Sequence, residues 1–198
     1  MNKNTKTILI VAGSLLLVCA CCVGVFSVTG LWSTIRFANW AGSNMSEDPE
    51  KVAEMASGIA DFQVPEGFEK QYGMKLGGLS LVQYMTDNER TVIFVSQFPA
   101  GTSINIDEMM RQIQQNSRYE NTSWYGVTTA LVEQKPVTIR GQETTMSISE
   151  GTNDQGAHYR MANAEFQGNG EGPAIVMIVG PADEWDVKTF EDFIASIQ

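Results

Sequence analysis

Cysteine and histidine are almost absent from this chain of 198 residues. All three cysteines lie within residues 19–22, and His158 is the only histidine. The sequence after Cys22 therefore offers no disulfide and no thiol nucleophile, and its fold must depend on a hydrophobic core. A zinc site centred on His158 would need further imidazole or thiolate ligands, which the sequence does not supply. We accordingly assign no metal-binding residue and expect no cofactor.

Basic residues are scarce as well. The chain has 13 Lys and Arg against 23 Asp and Glu, and its formal net charge is −10. Phosphate backbones are bound mainly by Lys and Arg, and no basic stripe with interleaved aromatic residues is found. The composition therefore excludes nucleic acid as the expected partner, and an acidic surface of this kind mainly favours solubility.

Charge is missing altogether between Lys6 and Arg36. An α-helix needs about 20 apolar residues to cross a hydrocarbon core of ~30 Å, whereas the apolar centre of a cleavable signal has only about 7–15. The pattern predicts a retained, single-pass transmembrane helix over residues 7–32, which ends at the interfacial Trp32.

The charges around this run predict its orientation. Lys3 and Lys6 precede the helix, and basic residues next to a membrane helix favour the cytoplasmic side. We expect residues 1–6 to form a cytoplasmic head and residues 33–198 to lie outside the cell membrane.

The three cysteines allow an alternative anchor. Val18-Cys19-Ala20-Cys21 is similar to a degenerate bacterial lipobox, in which Cys21 would be lipidated after cleavage. Apolar sequence continues well past Cys21, however, where a lipoprotein usually becomes polar. A buried free thiol behaves as a small hydrophobe, so membrane packing explains the cysteines more simply.

Periodicity divides the remainder into a tether over residues 33–47 and a folded domain over 48–198. A helix is predicted to begin near Pro49, and a second helix is predicted over 105–117, after a capping box. A third is predicted to open at Asp183. The apolar stripe of the first helix consists of Val52, Met55, Ala56 and Ile59.

Strand patterns lie between these helices. "LSLVQYM" and "TVIFVSQF" read as a β-hairpin, and four further runs read as a meander: "LVEQKPVTI", "ETTMSISE", "HYRMANAEF" and "AIVMIV". The last run is apolar on both faces, which is typical of a central strand covered on both sides. The element order predicts an α+β fold, an antiparallel β-sheet packed with helices.

Several short phrases in this order resemble the PsbP-like superfamily. They are "VPEGF", "IFVSQFP", "IRGQET" and the closing "AIVMIVGPADEWDVKTFEDFIASI". The resemblance covers roughly residues 60–198, and the group includes many bacterial membrane-anchored domains. It implies a PsbP-like fold that acts as a binding or accessory scaffold, because the better-understood members mostly dock on other proteins. No functional residue can be transferred, since no motif matches residue by residue.

Candidate catalytic groups are few. His158 lies at the start of a predicted strand, and three carboxylate groups lie at predicted helix N-termini, where acidic side chains cap N–H groups and complement the helix dipole. These groups are Glu47-Asp48-Glu50, Asp107-Glu108 and Asp183-Glu184-Asp186. The glycine-rich "GNGEG" lacks the lysine of a phosphate-binding loop and reads as a strand connection.

These observations predict a membrane-anchored extracytoplasmic binding or accessory domain that is not an enzyme. Its expected partners are the lipid bilayer, through residues 7–32, and another envelope protein or a small ligand; no catalytic or cofactor-binding residue is assigned. The alternative is a hydrolase or metal-dependent envelope enzyme that uses His158 or a carboxylate pair. The enzyme requires His158 to meet an acidic side chain in a concave pocket, whereas the binding domain requires an exposed apolar or aromatic patch.

Overall fold

One antiparallel β-sheet makes up most of the folded chain. The computed structural model describes residues 44–103, 127–153 and 155–198. The strands are β1 (Met45–Ser46), β2 (Lys70–Leu76), β3 (Leu79–Met85), β4 (Val92–Gln97), β5 (Thr128–Ile139), β6 (Gln142–Thr152), β7 (His158–Gln167) and β8 (Pro173–Pro181). The helices are α1 (Pro49–Ser57) and α2 (Val187–Ser196). The eight strands lie side by side in the order β1-β2-β3-β4-β8-β7-β6-β5.

The expected α+β class is wrong. The described part of the chain is mostly a single eight-stranded sheet, accompanied by only two short helices of 9 and 10 residues. The sheet is larger than periodicity indicated, because it includes β1 and β2, and because β5 and β6 extend over 12 and 11 residues. The predicted helix over 105–117 lies outside the described residues.

The predicted membrane segment lies outside the described residues too. Within the described ranges no helix has both the length and the apolar character needed to cross a bilayer. The predicted head, the span over 7–32 and most of the tether precede residue 44. The end of the predicted tether belongs to the sheet, because Met45 and Ser46 pair with Met74 and Gly73 of β2.

The main core lies between the sheet and the two helices. Phe62 packs edge-on against both Tyr84 and Phe193, with ring centroids 6.0 and 5.6 Å apart. Burial of the Tyr84 ring raises the pKa of its hydroxyl above the ordinary value, because the charged form is poorly solvated there. Helix and strand side chains share this core, and its most buried members include Val52, Ile59, Val82, Ile93, Val95, Val176, Ile178 and Phe193.

The centre of the sheet is the pair formed by β4 and β8. Their register places Ile93 opposite Ile178 and Val95 opposite Val176. β8 is buried from Ala174 to its end, so the prediction of a central strand covered on both faces is confirmed. The opposite face of the sheet carries a second apolar cluster, made up of Val92, Val127, Tyr159, Met161, Met177 and Val179.

Both helices begin at an aspartate cap. Asp48 accepts hydrogen bonds from the backbone N–H groups of Glu50 and Lys51, at 3.0 and 3.5 Å. Asp186 similarly caps α2, which begins at Val187; the predicted start at Asp183 is wrong. The residues before Asp186 form a turn after β8, in which the Glu184 N–H bonds to the Pro181 carbonyl.

Candidate functional site

His158 lies at the first position of β7 and is exposed. Its ring Nδ1 is 3.2 Å from the Thr152 hydroxyl, on the neighbouring strand β6. Among the described residues no carboxylate forms an ion pair with it. The histidine thus lies at the exposed end of a strand, next to a threonine hydroxyl.

The carboxylates of the described groups have separate structural roles. Asp48 and Asp186 cap helices, and Glu184 forms an ion pair with Arg90. The Asp107-Glu108 group lies outside the described residues. Within the described ranges no three His, Cys, Asp or Glu side chains come together as a potential metal site.

An open groove of about 820 Å³ runs along β2 and the turn that follows β3. Three carboxylates, of Glu47, Glu69 and Glu89, line it together with Lys70. Lys70 is held at the rim, because its Nζ donates to Glu89 Oε1 at 2.6 Å and to the Asp87 carbonyl at 2.9 Å. The groove is open to solvent, and its lining also includes apolar groups of Pro49, Tyr72 and Met85.

The outer edge of the sheet at β5 offers a different kind of site. β5 is the last strand in the sheet, and among the described strands only β6 pairs with it. An unpaired edge presents a row of backbone N–H and C=O groups that can pair with another extended chain. We call the outer side of residues 129–136 the β5 edge.

A β-bulge shapes the β5 edge. The register passes from Leu131 opposite Ser149 to Glu133 opposite Ile148, so Val132 is an extra residue. Leu131 and Val132 are 57% and 54% exposed. They are two adjacent large apolar side chains that remain exposed to water.

Two further features limit how far pairing along this edge can extend. Pro136 has no N–H to donate to a ladder, and proline in strands is confined to edges and bulges. The Lys135 ammonium forms an ion pair with Glu191 of α2. Lysine, proline and bulges are devices that prevent indiscriminate edge pairing, so a strand that pairs with the β5 edge can do so only over a short length.

The chain was compared with protein-family models and with curated proteins. No protein-family model matches the chain. No curated protein matches it either. The resemblance to the PsbP-like superfamily therefore stays a prediction.

Sequence reasoning found the strand but not the site. The run "LVEQKPVTI" was predicted as a strand, yet periodicity does not reveal which strand lies at the edge of a sheet. Pro136 in the middle of that run was the available indication, because proline within a strand pattern favours an edge position.

Proposed function

We propose that this protein is a membrane-anchored extracytoplasmic binding or accessory domain, without enzymatic activity, which docks an extended segment of a protein on the β5 edge. The observation that carries the proposal is the pair of exposed apolar side chains, Leu131 and Val132, on a strand with an open edge. An added strand gains affinity from main-chain hydrogen bonds and specificity from alternate side chains. This mode of binding needs no cavity.

The energetics favour a modest but specific interaction. Complete burial of a fully exposed Leu or Val contributes about 1.5–3 kcal/mol, and covering Leu131 or Val132, which are 57% and 54% exposed, contributes part of that amount. Part of that gain is offset by the conformational entropy that an extended partner loses on docking. The bulge and Pro136 keep the ladder of intermolecular backbone hydrogen bonds short. The side chains beside this ladder must therefore distinguish one partner segment from another.

The N-terminal run supplies the proposed location. We place residues 7–32 in the cell membrane, residues 1–6 in the cytoplasm and the folded part outside. Lipidation of Cys21 is the alternative way of anchoring the same domain. Either anchor holds the β5 edge near other envelope proteins, where a weak interaction suffices.

Site-specific photo-cross-linking tests the docking surface. The full-length chain carries a photoreactive benzoylphenylalanine at Val132, and a matched variant carries it at Leu76, which is 43% exposed on β2. We expect illumination of intact cells to give a discrete adduct of higher mass from position 132 and none from position 76. Absence of an adduct at 132, or equal adducts at both positions, would contradict the proposal.

A further inference from the structure

Resting on that proposed function, we propose that the strand docked on the β5 edge is β5 of a second copy of this chain. The two strands run antiparallel, with a two-fold axis at Gln134. An axis at this residue brings the oppositely charged residues of β5 into facing positions.

The charges select the register. With the axis at Gln134, Glu133 of each copy lies opposite Lys135 of the other, which gives two symmetric pairs of opposite charge. An axis at Glu133 would place two carboxylates opposite each other, and an axis at Lys135 would place two ammonium groups opposite each other. Opposite charges in direct cross-strand positions are stabilising and like charges destabilising, so the first register is favoured over these two.

The two charged residues also share a face of the sheet. Glu133 lies opposite Ile148 and Lys135 lies opposite Met146 within the β5–β6 pair, and both of these partners belong to the main core. A two-fold axis perpendicular to the sheet keeps this face on the same side in both copies. Glu133 of one copy and Lys135 of the other therefore become lateral neighbours, with Cβ atoms about 4.5–5.5 Å apart.

The bulge fits the same register. With the axis at Gln134, Val132 of one copy lies opposite Pro136 of the other, and Leu131 lies next to this pair at the bulge. The side chains of Leu131 and Val132 thus contact the apolar ring of Pro136. Pro136 has no N–H to donate, and it lies where the bulge already interrupts the ladder of backbone hydrogen bonds. The two most exposed large apolar side chains among the described residues are covered in this arrangement.

The length of the pairing predicts a weak dimer. An interface of a few strand residues per copy belongs to the small class, below about 1,200 Å². Confinement of two anchored copies to one membrane raises their local concentration, which favours such a contact without further area. An isologous two-fold contact also closes on itself and does not propagate into a fibre.

Disulfide trapping tests the register in the full-length protein. Gln134→Cys is introduced in a chain in which Cys19, Cys21 and Cys22 are changed to Ala. Residues opposite each other in antiparallel strands have Cα atoms about 4.5–5.5 Å apart, within the range for a disulfide, so mild oxidation of membranes should give a covalent dimer. Thr138→Cys in the same background is the control, because its two copies would be more than ~20 Å apart and cannot bridge.

A charge exchange checks the partner contacts independently. Lys135→Glu, added to Gln134→Cys, should lower the disulfide-linked fraction several-fold, because it places two pairs of carboxylates opposite each other. Exchanging both charges, Glu133→Lys with Lys135→Glu, should restore the linked fraction. Resistance to limited proteolysis shows that each variant is folded, which matters because Lys135 also pairs with Glu191.

The outcomes separate this inference from the proposed function. A dimer from Gln134→Cys but not from Thr138→Cys supports the inference. Equal trapping at both positions, or none at Gln134→Cys, overturns it. If trapping fails while the photoreactive residue at position 132 captures a different protein, the edge docks a partner other than itself; if both fail, the proposed function fails as well.

Discussion

At the scale of single residues, backbone conformation determines which residue is tolerated at several positions more strongly than side-chain chemistry does. Arg140 and Gly141 form the two-residue turn between β5 and β6, and their φ values are +54° and +74°. A turn with two positive φ angles matches the twist of the flanking strands. Gly141 adopts this conformation freely, and Arg140 is held by its guanidinium, which donates to the Gln167 carbonyl at 2.8 Å.

Gly141→Val should therefore destabilise the protein by about 1–2 kcal/mol, because a β-branched residue is strained at positive φ. Thermal unfolding of the purified protein, followed by circular dichroism, measures the effect as a lowered Tm. Glu143→Val, at an exposed position of β6 two residues away, is the control and should leave the Tm nearly unchanged. Equal stability of the two variants would show that the turn does not need glycine.

Residue-level detail also explains why β2 escaped prediction from the sequence. Gly73 lies in the middle of this strand, where glycine normally weakens a strand pattern. The structure gives the reason for it, since a Cβ at Gly73 would lie 2.7 Å from the Met55 sulfur and 3.4 Å from a Val52 methyl carbon of α1. A close helix–strand contact is tertiary information, which local periodicity does not carry.

At the scale of elements, the capping of α2 couples its stability to pH. Asp186 accepts a hydrogen bond from the Thr189 hydroxyl at 2.8 Å, as well as bonds from two backbone N–H groups. The Thr189 hydroxyl, followed by the Thr189 N–H, lowers the pKa of the Asp186 carboxyl below its ordinary value. A lowered folded-state pKa means that the stabilisation is present above the unfolded pKa and is lost as pH falls through the folded one.

Asp186→Asn should accordingly reduce the amount of folding stability that the protein loses as the pH falls. Asparagine keeps an oxygen acceptor for the cap but does not titrate. Urea unfolding at several pH values below ~4, where an ordinary aspartate becomes protonated, measures the difference. We expect the stability advantage of the wild-type protein over the variant to shrink as the pH falls. A difference that stays constant over that range would contradict the assignment.

Elements also show how far local patterns reach. The hairpin of β3 and β4 was predicted correctly, and so were the strand connection at "GNGEG" and the start of α1 at Pro49. The fold class was not, because the sheet continues through strands with weak patterns and its strand order depends on pairing between distant segments. The β5 edge was missed for the same reason.

At the scale of the whole molecule, the sheet consists of two meanders. β1 to β4 form one and β5 to β8 form the other, and within each meander every strand pairs with its neighbours in sequence.

The turn between β3 and β4 provides a place to test on which side of the membrane the sheet lies. Thr86 is a poor site for a probe, because it is half-buried and its hydroxyl accepts from the Thr91 N–H at 3.2 Å.

Asp87→Cys, in the chain whose three native cysteines are changed to Ala, should react with a membrane-impermeant maleimide in intact cells. Asp87 is exposed, and its backbone carbonyl accepts a hydrogen bond from the Lys70 ammonium. Labelling is detected by the mass shift on a gel, and the purified protein serves to show that the site is accessible. Reaction only after the cells are broken open would place the sheet in the cytoplasm and contradict the proposed orientation.

The pairing of β4 with β8 has a consequence for biosynthesis. It joins the two meanders, and it brings together Ile93 and Ile178, which the ribosome makes at widely separated times. During synthesis the edge of β4 that pairs with β8 stays unpaired until β8 has emerged. Non-local strand pairing of this kind slows folding and prolongs the exposure of apolar edges. The nascent chain is thus most in need of chaperone protection between the completion of β4 and the release of β8.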